Sequence, residues 1–153
     1  MPQPAAKPQN IHATAILIGR YGVLITGPSG SGKSTLALAL IDHCRQRGLF
    51  SSLIGDDQLF AADRGGRLVC SAPATIAGFA EVPGIGPRPL SYEPAGVIDL
   101  AARLVPEPEM ARFQEESFDT IAGCLVPRID VVQRNVAAAL PAVVARLSIA
   151  PFL

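Results

Sequence analysis

The chain of 153 residues holds enough material for one domain around one core, and a second domain is not expected. Thirteen basic residues balance thirteen acidic ones, and charged residues make up 17% of the chain, so no overall charge draws it to nucleic acid or to a membrane surface. Cys44, Cys70 and Cys124 are an odd number without a C-x-x-C pair, which argues against a disulfide framework or a zinc site and for buried thiols, and no apolar run approaches the ~20 residues that a membrane helix needs.

Residues 1–11, MPQPAAKPQNI, carry three prolines and little to bury, and read as a flexible tail ahead of a domain spanning 12–153. No charged segment followed by an apolar one opens the chain, so a soluble, cytoplasmic protein is expected. ATAILIG (Ala13 to Gly19) and GVLITG (Gly22 to Gly27) are apolar and β-branched, and the short Arg20-Tyr21 link predicts an antiparallel hairpin. Lys33 to Arg47 sets Leu36, Leu40 and Cys44 at four-residue steps without proline and stops at Gly48, the pattern of a helix. SLIGDD (Ser52 to Asp57) predicts a short strand ending in two acids, and FAADRGGRLVCS a pair of strands about Arg64-Gly65-Gly66.

From Gly78 to Gly96 four prolines and four glycines predict a loop of special shape. Val97 to Leu104 reads as a strand, PEPEM as a polar turn, Met110 to Phe118 as a short helix and Ile129 to Val132 as a strand. The last helix is placed from Pro141, at its first position, with Val144 and Leu147 on the inner face. No internal repeat is present.

The chemistry concentrates in GPSGSGKST, comprising Gly27, Pro28, Ser29, Gly30, Ser31, Gly32, Lys33, Ser34 and Thr35. This G-x-x-x-x-G-K-S pattern follows a predicted strand and opens a predicted helix, the context a phosphate-binding loop requires. Its glycines allow backbone N–H groups to wrap around phosphate oxygens, to which the helix adds the positive end of its dipole. Lys33 is expected at the β and γ phosphates and Ser34 on Mg2+. Only two lysines occur in the chain, Lys7 and Lys33, against eleven arginines.

Asp56 and Asp57 follow a strand and are therefore expected near the loop, one to help hold the metal and one to accept a proton. Glu81 is the only acid between Gly78 and Glu93 and is a candidate metal ligand; Arg88 is a candidate cation for phosphate. His12 precedes the first strand and carries an imidazole, a side chain useful where protons or phosphates move; His43, on the helix, reads as structural. No guanine-reading N-K-x-D pattern occurs.

IHATAILIGRYGVLITGPSGSGKSTLALALI, LIGDDQLFA, PATIAGFAEVPGIG and VIDLAARL together resemble the catalytic domain of the HPr kinase/phosphorylase family, in its short form. The resemblance implies an α/β, P-loop kinase-like (phosphoenolpyruvate carboxykinase-like) mixed β-sheet with flanking helices. It implies ATP and Mg2+ as cofactors, the phosphocarrier HPr as the protein phosphorylated on serine, and inorganic phosphate as the agent of the reverse reaction. By the same resemblance Asp56 is the base, His12 a group near the phosphates, Ser34, Glu81 and Asp57 the metal side, and the assembly a hexamer. Two positions depart from the family pattern: Pro83 stands where an arginine is common, and Thr35 where an acid often follows Gly-Lys-Ser. A small-metabolite kinase and a nucleotide-dependent binding module without transfer are the competing readings.

Overall fold

The computed structural model describes residues 7–153. Among the described residues twelve strands and two α-helices run in the order β1 (Gln9–Ile11), β2 (Thr14–Ile18), β3 (Tyr21–Thr26), α1 (Lys33–Gln46), β4 (Ser51–Gly55), β5 (Leu59–Arg64), β6 (Arg67–Ser71), β7 (Phe79–Val82), β8 (Gly86–Pro89), β9 (Ala95–Val97), β10 (Leu100–Val105), β11 (Ser117–Ile121), β12 (Cys124–Val132) and α2 (Val136–Arg146). Six strands form one mixed sheet in the order β11-β12-β10-β3-β2-β4, four form a second in the order β1-β5-β6-β9, and β7 and β8 stand apart as a hairpin.

The large sheet is covered on both faces, which explains why its central strands are apolar almost without interruption. Ile16, Val23, Ile25, Leu100 and Leu104 pack against Leu36, Leu40 and Cys44 of α1 and Val143 and Val144 of α2. Their neighbours Ala15, Leu24 and Ala101 point the other way, against Leu59, Ala61, Leu68 and Cys70 of the smaller sheet. Period-two alternation thus divides each strand between two cores, and the molecule is layered helices, large sheet, small sheet.

The predicted hairpin of β2 and β3 is present, with Ile18 opposite Tyr21. Helix α1 ends as expected: Gly48 (φ 69) donates to Arg45 O at 3.1 Å and Leu49 to Cys44 O at 2.9 Å, a Schellman closure with glycine in the left-handed region. Strands β5 and β6 turn through Gly65 (φ 64) and Gly66 (φ 86), the two-residue connection whose twist suits a hairpin.

Several expectations are corrected. The tail assigned to residues 1–11 lies outside the described residues for 1–6, but Gln9–Ile11 form an edge strand on β5; its backbone partner is distant in sequence, so the polar QN gave no local sign of it. Val97 to Leu104 is two strands in two sheets, because the chain crosses layers at Ile98 and Asp99. Asp99 fixes the crossing: its N donates to Gly22 O and its Oδ2 accepts from Gly22 N, both at 2.8 Å. No helix forms between Met110 and Phe118. That stretch has no apolar stripe to bury, and its end is drawn into β11, paired with a β12 that begins at Cys124 rather than Ile129.

Helix α2 begins at Val136, not Pro141. Asn135 caps it, its Oδ1 accepting from Ala138 N at 3.1 Å, and Pro141 lies inside the helix on the solvent side, where the bond it fails to make is replaceable by water. Val144 and Leu147 do face the core.

The segment from Gly78 to Gly96 is not a loop throughout. β7 and β8 pair through Phe79–Pro89 to Val82–Gly86, closed by a turn in which Ile85 N donates to Val82 O at 3.0 Å. Pro83 and Gly84 (φ 79) occupy the two central positions, the residue choice of a type II turn. Pro87 and Pro89 fall at alternate positions of an outlying strand, where missing donors are tolerated. Below the hairpin, Leu53 donates to Ser91 O and receives from Glu93 N at 3.0 and 2.8 Å, which ties its base to the edge of the large sheet at β4.

Candidate active site

The loop between β3 and α1 stands at the carboxyl end of β3, beside the parallel strand β10, where α/β sheets present their ligands. Gly27, Gly30 and Gly32 hold φ of 149°, 78° and 95°, a backbone that residues with a Cβ resist. A Cβ on Gly27 would also meet Ser31 Oγ at 2.8 Å and Leu104 Cβ at 3.0 Å. The loop is therefore packed from outside and open inward, a ring of main-chain amides with α1 beginning at Lys33. The Lys33 ammonium folds back over it, donating to Gly27 O at 2.9 Å and Pro28 O at 3.1 Å.

A cleft of about 750 Å3 opens from this loop. It falls in the size range of small-molecule and nucleotide sites, ~300–1,000 Å3. It is lined by Ser29, Gly30, Gly32, Lys33, Ser34 and Thr35 of the loop, by Asp56 and Asp57 after β4, and by Glu81, Pro83 and Pro87 of the hairpin.

Asp56 is the hub of the cleft. It is 6% exposed, and three separate elements converge on its carboxylate. Its Oδ1 accepts from Thr14 Oγ1 and from Ser34 Oγ, each at 2.7 Å, and its Oδ2 accepts from Glu81 N at 2.8 Å. Strand β2, helix α1 and the hairpin are thus joined through one ionisable group, and Oδ2, with a single donor, keeps a lone pair for the cleft. Asp57 is exposed at the cleft wall with φ 68°, and Gln58 N donates across it to Asp56 O at 2.8 Å, the bond of a γ-turn. A non-glycine residue held there costs ~1–3 kcal/mol and clusters at functional sites.

The structure brings Ser29, Gly30, Gly32, Lys33, Ser34 and Thr35 of the loop, with Asp56, Asp57 and Glu81, to one cleft, while Gly27, Pro28 and Ser31 complete the loop outside its lining residues. Two candidates lie elsewhere. His12 is exposed in the link between β1 and β2 and is not among the residues of the cleft wall. Arg88 sits opposite Ala80 on β8 and is not among the residues that line the cleft.

Two cleft residues escaped sequence reasoning. Thr14, 1% exposed, is a hydroxyl inside a strand apolar on both faces, and that polar exception was its only signal. Arg134 follows β12 and precedes the Asn135 cap; its Nε donates to Gly30 O at 2.8 Å and its N to Ser31 O at 3.1 Å. An asparagine before an alanine-rich run marks a helix start, and would have placed Arg134 at a turn.

The donor set fits a magnesium nucleotide. Among the described lining residues the cations are Lys33 and Arg134 and the acids Asp56, Asp57 and Glu81. A bare triphosphate would meet three carboxylates, and a divalent cation between them removes that repulsion. No group of three or more His, Cys, Asp or Glu side chains converges as a ready-made metal site among the described residues. Mg2+ takes one or two carboxylates and completes its shell with phosphate oxygens and water.

The three thiols are buried, as expected. Burial pushes Cys70 up to about 12 and raises Cys44 and Cys124 above the ordinary cysteine range.

Comparison with known proteins agrees with this geometry. The sequence model of the HPr Serine kinase C-terminal domain matches residues 3–87. The chain is 33% identical over 136 residues to the HPr kinase/phosphorylase of Limosilactobacillus reuteri (strain DSM 20016), covering 80% of this chain and 40% of that protein. It is 40% identical over 76 residues to that of Clostridium botulinum (strain Eklund 17B / Type B), covering 50% and 23%. The chain thus spans well under half the length of these curated relatives. Among solved structures, the HPr(Ser) kinase/phosphatase from Coxiella burnetii superposes with a TM-score of 0.73 at 29% identity, covering 89% of this chain and 91% of that one. Among the described residues, no helix is long and apolar enough to cross a membrane.

Proposed function

The chain belongs to the HPr serine kinase C-terminal domain family, and from that premise we propose that it is an ATP- and Mg2+-dependent protein kinase that phosphorylates a serine of the phosphocarrier HPr. The observation that carries this reading is Asp56, a buried carboxylate fastened to the first turn of the phosphate-loop helix through Ser34 and to the facing hairpin through Glu81 N. The nucleotide's phosphates lie in the ring of amides from Gly27 to Thr35, with Lys33 leaving its carbonyl partners to reach them. The serine of HPr enters between the hairpin and the loop. As its Oγ attacks the γ-phosphorus, the bond from that phosphorus to the β,γ-bridging oxygen breaks and ADP leaves; Asp56 Oδ2 takes the hydroxyl proton.

Ser34, Asp57 and Glu81 are the residues that would hold Mg2+, which when bound neutralises charge on the phosphate oxygens. The protein's own contribution is positional: Thr14 and Glu81 N fix the plane of the Asp56 carboxylate, and the strained turn at Asp57 keeps a second acid facing the cleft. The same atoms run in reverse when inorganic phosphate attacks phosphoserine and protonated Asp56 returns its proton, giving pyrophosphate.

The test is incubation of the full chain with ATP, Mg2+ and HPr, followed by intact-mass measurement and location of the modified residue. Addition of one phosphoryl group to a serine of HPr is expected. Bound ATP with HPr unchanged would make the protein a nucleotide-dependent binding module instead.

A further inference from the structure

The residues that line the cleft come from one edge of the large sheet, at five neighbouring strands. In the order β12-β10-β3-β2-β4, Val132 ends β12, Leu104 lies one residue before the end of β10, the phosphate loop follows β3, Thr14 opens β2 and Asp56 follows β4. β10 is parallel to β3 and β12, while β2 is antiparallel to β3 and β4, so all five positions fall at the same edge. Four strand spacings of ~4.8 Å make the cleft roughly 19 Å long, with the phosphate loop in its middle.

The two halves differ in chemistry. The β4 half holds the acids Asp56 and Asp57, with Glu81 joined to Asp56 through its N. The β12 half is lined by Leu36, Leu104, Val132, Val136 and Ala139. Leu36, Leu104 and Ala139 belong to the core between the helices and the large sheet, and Val132 and Val136 are half-buried and supply accessible apolar area. The polar side chains beside them are engaged: Arg134 Nε donates to Gly30 O, and Asn135 Oδ1 accepts from Ala138 N.

The direction of a bound nucleotide follows. Asp56 takes the proton of the incoming hydroxyl, so the γ-phosphate lies toward the β4 half. The rest of the molecule then leads across the loop, past Thr35, toward the start of α2, and its nucleoside meets the apolar half. A purine has two apolar faces and a polar edge, and covering a face with aliphatic carbon is favourable whatever the edge carries. Reading the edge takes placed hydrogen-bonding groups, such as those of the N-K-x-D pattern that the sequence lacks.

We propose that the nucleoside of the phosphoryl donor is seated over the ends of β10 and β12 on Leu36, Leu104, Val132, Val136 and Ala139, held by apolar contact without a reading of the base edge, so that adenine and guanine nucleotides are accepted alike. This rests on the nucleotide-binding half of the kinase reading and extends it to the donor's specificity.

Isothermal titration of the full chain with Mg-ATP, Mg-GTP and Mg-methyl triphosphate tests it. Methyl triphosphate carries the phosphate chain without a nucleoside. The parent is expected to bind the two nucleotides within about tenfold of each other, and both at least about tenfold more tightly than methyl triphosphate. Val136→Ser removes two methyl groups at the first position of α2. It is expected to weaken both nucleotides about threefold to tenfold and to leave methyl triphosphate unchanged, with the ligand-free Tm within a few degrees of the parent's. Methyl triphosphate bound as tightly as ATP overturns the inference and leaves the kinase reading standing, because the loop then supplies all of the affinity. A gap between ATP and GTP wider than about tenfold overturns it too, since an edge is then being read. So does a Val136→Ser variant that weakens all three ligands equally. A parent chain that binds none of the three brings down the nucleotide site itself, and the seat with it.

Discussion

Thr14 Oγ1 donates to Asp56 Oδ1 at 2.7 Å across 42 positions of sequence, from a side chain 1% exposed. The bond places a strand hydroxyl behind the carboxylate that the phosphate-loop helix also grips, so that the plane of Asp56 is set by the fold before any ligand arrives. Replacing this hydroxyl by a methyl group, in Thr14→Val, keeps shape and burial and removes one donor. Denaturant unfolding is expected to show a loss of about 1–3 kcal/mol, the cost of leaving a buried acceptor short of a partner. The transfer rate should fall while nucleotide affinity holds. A variant as stable and as active as the parent would mean the bond positions nothing.

Asp56→Asn keeps the size of the side chain and its acceptor oxygen but removes the basic one. Phosphoryl transfer to HPr is expected to drop by ~10^2–10^4-fold, the usual worth of a positioned base. Mg-ATP binding, read by titration, should change by less than about tenfold. If instead the Mg2+ requirement shifts and binding is lost, Asp56 belongs to the metal and not to the proton.

Gly22 is a packing site remote from the cleft. A Cβ there would overlap the Val97 carbonyl oxygen, a backbone atom held by the crossing from β9 to β10. Gly22→Ala is expected to destabilise by at least about 1–3 kcal/mol through overpacking, measured by chemical denaturation. Backbone, unlike a side chain, has no other rotamer to adopt.

The thiols predict alkaline sensitivity. In the folded chain Cys70 keeps its proton up to about 12, above the ordinary cysteine value of 9.0, so it binds more protons folded than unfolded between those limits. Its contribution to stability is whole below pH 9.0 and drains away as pH rises toward 12. Cys70→Ala should therefore show a flatter decline of unfolding free energy between pH 9 and 11, whatever its stability at pH 7. A decline as steep as the parent's would place the effect elsewhere. Thiol reagents at pH 8 should label the native chain slowly and the unfolded chain at once, since all three cysteines are buried.

The phosphate loop, α1, the β2–β3 hairpin and the acids after β4 were legible because each is a local signal. Glycines at positive φ, a four-residue apolar step and a polar break after a β-branched run need no distant partner to be recognised. Elements that depend on distant partners were misread: Gln9–Ile11 is a strand only because β5 lies beside it, and Ser117–Ile121 only because β12 does. Val97 to Leu104 looked like one strand since both halves are apolar, yet Asp99, bonded to Gly22, divides it between two sheets. Pro141 suggested a helix start, but the cap at Asn135 and the alanine run behind it outweighed one missing donor.

By itself the sequence determined that an anion cradle opens a helix, that two acids follow a nearby strand, and that the chain resembles a family of protein kinases, because those properties reside in residue type and short spacing. Only the tertiary structure decided that Asp56 is bound at once by Thr14, Ser34 and Glu81 N, that Arg134 braces the rim of the loop, and that His12 and Arg88 lie off the cleft wall. Those relations join positions 22 to 104 residues apart, and chain direction, layer and register, not local composition, bring such positions within hydrogen-bonding reach.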